Sequence, residues 1–223
     1  MTSGGEKATR KKEFKYPPSL ITGMLRGISF TLSKLFWFIR YRGLKNIPRC
    51  KNGFVLVSNH PTYFDPVWIS IPVHRNMRFM AWDHAFEWPY VGELIRFLGA
   101  FPVKTDGSVT KTAIVESLRT IRGDGVLVIF PEGEREFDDG KLLEFKTGAL
   151  HVALNAHSPV LPVSIRGGNR IWPQGYKYPR LFSRVEVTYH PLMYLPECPP
   201  DVELDQHLAK LNEELIKIIA SAI

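Results

Sequence analysis

The sequence predicts an α/β fold, a single domain with a central sheet covered by helices on both faces, plus an N-terminal amphipathic helical arm. Three observations carry this expectation. Past residue 43, short apolar runs alternate with segments of helical periodicity, the pattern that sandwiches a sheet between helices. Two of the apolar runs stop at polar turns, SNHPTYFDP (residues 58–66) and VIFPEGERE (residues 128–136), so the polar residues gather where strands end. Ahead of them, residues 1–51 hold 12 Lys and Arg against 2 Asp and Glu, a local balance of +10 that leaves the other 172 residues at −3. The division that follows is an arm over residues 1–42 and a domain over 43–223.

The arm rests on residues 20–40, LITGMLRGISFTLSKLFWFIR, in which Ile21, Leu25, Ile28, Leu32, Leu35 and Ile39 recur at helical spacing. Arg26, Ser29, Ser33, Trp37 and Arg40 occupy another face. Arg26 and Lys34 interrupt the apolar run, which falls short of the roughly 18 uninterrupted apolar residues of a spanning helix. A basic, aromatic-bearing amphipathic helix suits a bilayer surface, and the competing assignment is a helix packed on the domain. The charged interruptions and the lack of a small-residue cleavage pattern argue against a signal or transit peptide, and so apolar a helix is a poor match for nucleic acid.

Strands follow at 54–58, 77–81, 99–103, 126–130, 160–165 and 184–189, each a short run of branched or aromatic residues. Helices are expected at 109–121, 148–156 and 204–219. In the last of these, Leu204, Leu208, Leu211, Leu215 and Ile218 form a stripe that reads as core. A chain of 223 residues with 44% hydrophobic content can bury one sizeable core, and no repeat divides it. Cys50 and Cys198 are isolated, which points to a reducing compartment and to no metal.

Two turns supply the chemistry. Pro61 and Pro66 stop the strand at 54–58, and the polar Asn59, His60 and Asp65 fall at its end. An imidazole oriented by a carboxylate through one nitrogen can take a proton at the other, so His60 and Asp65 make a candidate base dyad. The competing reading is an Asp65 that caps a helix starting near Pro66, beside an exposed His60. In the second turn, Arg135 has the two-pronged geometry that grips phosphate, with Lys146 and Lys104 as further cations or as solvated surface charges. Glu132 is a candidate acceptor for substrate hydroxyls, an orienting partner for Arg135, or a buttress of the turn. Gly133 lets a ligand approach the backbone. No Gly-any-Ser-any-Gly elbow or paired zinc motif is present.

These segments resemble a known family. NHPTYFD is similar to the Asn-His-four residues-Asp motif of the glycerolipid acyltransferases, which include the 1-acylglycerol-3-phosphate acyltransferases. LGAFPVK (98–104), FPEGERE (130–136) and LPVSIRG (161–167) resemble that family's later blocks in order, and FKTGAL (145–150) its FK-any-GA segment. The likeness extends over about residues 43–194. Glu134 and Glu136 stand where Thr and Ser are usual, and Lys104 where Arg is common. The resemblance implies an acyltransferase of phospholipid biosynthesis that moves a fatty acyl group from acyl carrier protein or coenzyme A to a lysophospholipid hydroxyl. It implies 1-acylglycerol 3-phosphate as acceptor and phosphatidic acid as product. His60 and Asp65 then have the catalytic role, and Lys104, Glu132, Gly133, Arg135 and Lys146 bind substrate. No cofactor or metal is expected beside the thioester, and the expected location is peripheral, on the cytoplasmic face of an anionic membrane.

Overall fold

Strand β2 (Phe54–Ser58) is buried at every residue, and its alternate side chains enter different cores. Phe54 and Leu56 join one apolar cluster, whereas Val55 and Val57 join another. A strand covered on both faces sits in the middle of its sheet. The computed structural model describes residues 14–104, 110–136 and 140–223. Around β2 it assembles β1 (Arg40–Arg42), β3 (Met77–Trp82), β4 (Ala100–Val103), β5 (Val126–Ile129), β6 (Val160–Arg166) and β7 (Glu186–Tyr189). They form one seven-stranded sheet in the order β1-β7-β6-β2-β5-β3-β4. The run β6-β2-β5-β3-β4 is parallel throughout, so the C-terminal ends of these five strands share one rim. Of these seven strands β6 and β7 pair antiparallel, and β1 then runs parallel to β7.

Among the described residues, six α-helices cover the sheet: α1 (Ser19–Trp37), α2 (Asp65–Ser70), α3 (Val91–Phe97), α4 (Lys111–Arg122), α5 (Gly148–Asn155) and α6 (Leu204–Ala220). Trp37 of α1 and Trp68 and Ile69 of α2 belong to the cluster that receives Leu56. Residues of α4, α5 and α6 belong to the cluster on the other face. Helix α4 starts where the Thr110 hydroxyl accepts the Ala113 N–H at 3.1 Å, and ends at Gly123. The expected first residue of that helix, Val109, lies outside the described residues, as do residues 1–13 of the arm.

The expected strands form within two residues of their predicted ends. Strand β7 starts later than predicted because Val185 is occupied by α1: its N–H donates to the Trp37 carbonyl and its carbonyl accepts from Arg40. Strand β1 and helix α3 escaped the sequence reading, and α2 entered it only as the competing cap assignment for Asp65.

The arm needs one correction. The helix stops at Trp37, where Phe38 turns left-handed at φ +44°, and Ile39 drops fully into the core instead of continuing the stripe. The face of α1 that touches the domain is the small and polar one. Ser33 and Trp37 are buried, and Thr22, Arg26 and Ser29 are half-buried. Trp68 Nε1 donates to Ser33 Oγ at 3.1 Å, Trp37 Nε1 to the Arg180 carbonyl at 2.9 Å, and Arg26 to the Arg75 carbonyl at 3.1 Å. Ile21, Leu25, Ile28, Leu32 and Leu35 point outward, 38–58% exposed. Among the described residues, no helix is long and apolar enough to cross a membrane.

Candidate active site

The parallel strands bring the two predicted turns together on the shared rim, because β2 and β5 are neighbours in register. Just past β2, the Asn59 side chain acts as an extra strand residue. Its amide nitrogen donates to the Ile165 carbonyl at 2.9 Å and its oxygen accepts the Ile165 N–H at 2.8 Å, which fastens the turn to β6. The chain after β6 presses on the same turn: a Cβ on Gly168 would lie 2.7 Å from the Pro61 ring.

His60 Nδ1 lies 2.8 Å from Asp65 Oδ2. That oxygen also accepts the Thr62 N–H at 2.7 Å, so it is the acceptor of the pair and the shared proton belongs on Nδ1. Nε2 is left with the lone pair. Asp65 is fully buried in the first turn of α2, so the helix near Pro66 exists and the dyad is formed within it. The imidazole keeps 19% of its surface and stacks on Phe130 at 4.1 Å between ring centroids. Burial, aided by the Arg135 guanidinium, pushes the His60 pKa from 6.5 to about 3, so the ring is neutral at physiological pH. Burial also raises the Asp65 carboxyl, against the downward pull of the Thr62 N–H and of Arg135.

Glu132 is the strut between three loops. Its two oxygens accept the backbone N–H groups of His60, at 3.0 Å, and of Leu143, at 3.3 Å, while the Glu136 N–H donates to the His60 carbonyl at 3.1 Å. The carboxylate is buried, and these bonds make it a buttress of the turn, one of the three roles that the sequence left open. Burial, with Asp65 and Glu136 adding to it, lifts the Glu132 pKa to about 7 against those two N–H donors. Gly133 turns at φ +74°, and a Cβ there would sit 3.0 Å from Lys146 Nζ. Lys146 thus crosses the turn it was expected to share. Lys104 stands exposed at the end of β4, on the same rim. It is three strand spacings from β2 by the sheet order, roughly 14 Å.

Arg135 lies flat on Tyr63, its Cζ 3.3 Å from the ring centroid. Tyr63 meets Trp88 and Trp172 edge-on, at 5.9 Å and 5.3 Å. Together with Arg135 and the segment 172–176, Tyr63 lines a cleft of about 330 Å³. Trp172 Nε1 closes that segment by donating to the Tyr176 carbonyl at 2.8 Å. Sequence reasoning passed over Tyr63, Phe130 and 172–176. The signals available were an aromatic inside each motif and a Pro- and Gly-bearing aromatic turn after β6. Of the unusual carboxylates, Glu134 is exposed and Glu136 accepts the Gly140 N–H. Among the described residues, no group of three His, Cys, Asp or Glu side chains is placed to hold a metal ion.

A model of the acyltransferase family matches residues 38–166, which include both turns and all seven of the site residues expected from the sequence. The chain belongs to the acyltransferase family. A chloroplastic 1-acyl-sn-glycerol-3-phosphate acyltransferase of Brassica napus is 27% identical over 81% of this chain and 52% of its own length. The Limnanthes alba enzyme of the same name is 30% identical over 68% of this chain and 52% of its own. The chain therefore spans about half the length of these relatives. The crystal structure of the 1-acyl-sn-glycerophosphate acyltransferase PlsC from Thermotoga maritima superposes with a TM-score of 0.67 at 27% identity, covering 89% of this chain and 76% of that one. These matches agree with the α/β fold and the acyltransferase family expected from the motifs.

Proposed function

We propose that this acyltransferase moves a fatty acyl group from a thioester of acyl carrier protein or coenzyme A to the free hydroxyl of a lysophospholipid. The acceptor that fits best is 1-acylglycerol 3-phosphate, which gives phosphatidic acid. The observation that carries the reading is the His60–Asp65 pair at 2.8 Å with Arg135 on the adjoining turn.

The acceptor hydroxyl gives its proton to Nε2 of His60 as its oxygen attacks the thioester carbonyl, and Asp65 stabilises the imidazolium through Nδ1–H. The tetrahedral intermediate collapses by breaking the C–S bond. The departing thiolate takes the proton back from His60, which restores the neutral ring. A thioester is already activated, so base catalysis needs no covalent acyl-enzyme and no added cofactor. Arg135 would hold the phosphate in two-pronged fashion, and Tyr63 would fix the plane of its guanidinium. Glu132 is a positioning residue that keeps the His60 and Arg135 turns in register. Lys104 and Lys146 supply longer-range attraction for the anionic acceptor. The outward apolar stripe of α1, preceded in the sequence by a cationic segment, would dock the protein on the cytoplasmic face of an anionic membrane.

His60→Ala should lower turnover by ~100-fold or more in protein that keeps its circular dichroism, since general-base catalysis contributes about 10²–10⁴. Asp65→Asn should impair turnover severely as well. Product analysis with lysophosphatidate and both donors discriminates the reading: free fatty acid in place of phosphatidic acid identifies a thioesterase or phospholipase. No product identifies a binding protein, and a His60→Ala protein of parental activity removes the base.

A further inference from the structure

The chain spends two aromatic residues in a backbone conformation that bulky side chains avoid. Phe38 has φ +44° and Phe182 has φ +59°. Both rings are left outside, 46% and 68% exposed, with centroids 6.4 Å apart. The backbone locks the pair together, since the Phe182 N–H donates to the Phe36 carbonyl at 2.6 Å. Tyr178 and Leu181 stand beside them, 69% and 46% exposed. A strained backbone that holds aromatics in water gains nothing for the core, so the arrangement asks for an external partner.

Charge and position say which partner. Residues 172–185 carry Lys177, Arg180 and Arg184 and no carboxylate, and Arg40 is exposed at the start of the strand beside Val185. Exposed aromatic rings in a cationic segment, with Lys177 over the Tyr178 ring at 5.4 Å and Arg180 over the Tyr176 ring at 4.2 Å, match the headgroup level of an anionic bilayer, where each ring keeps its apolar body in the acyl boundary. Phe38 also stands three residues past Leu35, the last of the outward stripe of α1, and so joins that stripe to Phe182.

We propose that residues 178–182, together with Phe38, are a second lipid-contacting element that inserts into an anionic membrane surface at the C-terminal end of α1. The inference rests on the reading of α1 as a lipid-facing helix and extends it to a loop that α1 does not contain. It also connects the membrane to the site: the same segment lines the Arg135 cleft at 172–176 and reaches the lipid at 178–182. An acceptor would then pass from the bilayer to Arg135 along one stretch of chain.

The test uses the full chain and flotation on phosphatidylcholine vesicles with and without phosphatidylglycerol. Phe182→Asn and Phe38→Asn place a residue that tolerates left-handed backbone at each position. Each should weaken partitioning onto the anionic vesicles by about tenfold, with more loss in the double variant, while the melting temperature stays level or rises. A fall in melting temperature with unchanged flotation makes the rings structural and overturns the inference. A Leu25→Ser/Leu32→Ser variant runs alongside. If it loses flotation and the Phe variants float like the parent, the loop is excluded and the α1 reading stands. If the parent itself does not float, both fall. A parent that is dimeric by light scattering, and a Phe182→Asn protein that is monomeric and floats like the parent, assign the patch to a second copy and overturn the lipid assignment.

Discussion

Helices α1 and α6 carry the same kind of apolar stripe and turn it in opposite directions. In α6, Leu208, Leu211, Leu215 and Ile219 are 0–6% exposed against β6 and α5. In α1, Leu25, Ile28, Leu32 and Leu35 face outward, and Ser33, with Arg26 and Ser29 half-buried, faces the domain. Periodicity identifies which residues share a face, but the neighbour decides which face turns in. Helix α6 meets apolar side chains. Helix α1 meets an indole N–H, from Trp68, and a backbone carbonyl, from Arg75, and only polar residues satisfy those groups.

The contrast breaks most readily at α6. Leu215→Ala removes a fully buried side chain and should cost about 2–5 kcal/mol in denaturant unfolding, because little surrounds the site that can collapse into the gap. On the inward face of α1, Ser33→Leu overfills a packed position and deprives Trp68 of its acceptor, so a loss of about 1–3 kcal/mol is expected. The outward stripe should be nearly silent: Leu25→Ala should stay within about 0.5 kcal/mol in the same assay while it weakens vesicle binding. If Leu25→Ala destabilised the fold as much as Leu215→Ala, the α1 stripe would be core and the comparison would collapse.

A fourth expectation compares the two turns instead. Tyr63→Leu removes the ring under Arg135 and should reduce the preference for a phosphorylated over a neutral acceptor by roughly 3- to 30-fold, the range of a cation–π contact, whereas Tyr63→Phe retains it.

The sequence made much of this legible, for identifiable reasons. Strand β2 is a run of branched residues closed by prolines, and it forms over the predicted residues. Strand β1 has the sequence Arg-Tyr-Arg and exists only because β7, far along the chain, offers an edge to pair with. Helix α2 is six residues long and includes Pro66, too short for periodicity to register. Helix α3, at seven residues, is equally brief. At the site, His60, Asp65 and Arg135 could be named because they fall where apolar runs stop and within segments that resemble the acyltransferase blocks. Tyr63 and Trp172 could not, since an aromatic residue looks alike whether it fills a core or supports a guanidinium. The residues of the exposed stripe of α1 were readable from periodicity, but Ile39 was assigned to it because the left-handed stop at Phe38 has no glycine to announce it.

The Glu132 strut makes the rim sensitive to acid. Its folded pKa of about 7 lies above the ordinary 4.5, so between those values the folded chain holds a proton that the unfolded chain releases. Its contribution to stability is thus full below pH 4.5 and is lost as pH rises through about 7. Loop order runs the other way. The ionised carboxylate accepts both N–H groups, whereas a protonated one turns one oxygen into a donor and weakens its hold on the His60 or the Leu143 N–H. Since His60 itself stays neutral far below neutrality, a decline of kcat/KM on acidification near pH 7 would come from the raised carboxyls, Glu132 and the Asp65 of the dyad. Glu132→Gln, which cannot titrate, should remove the Glu132 share of both the decline and the pH dependence of unfolding in that window, leaving that of Asp65. Proton activity thereby sets the fold and the alignment of its base against each other through one side chain.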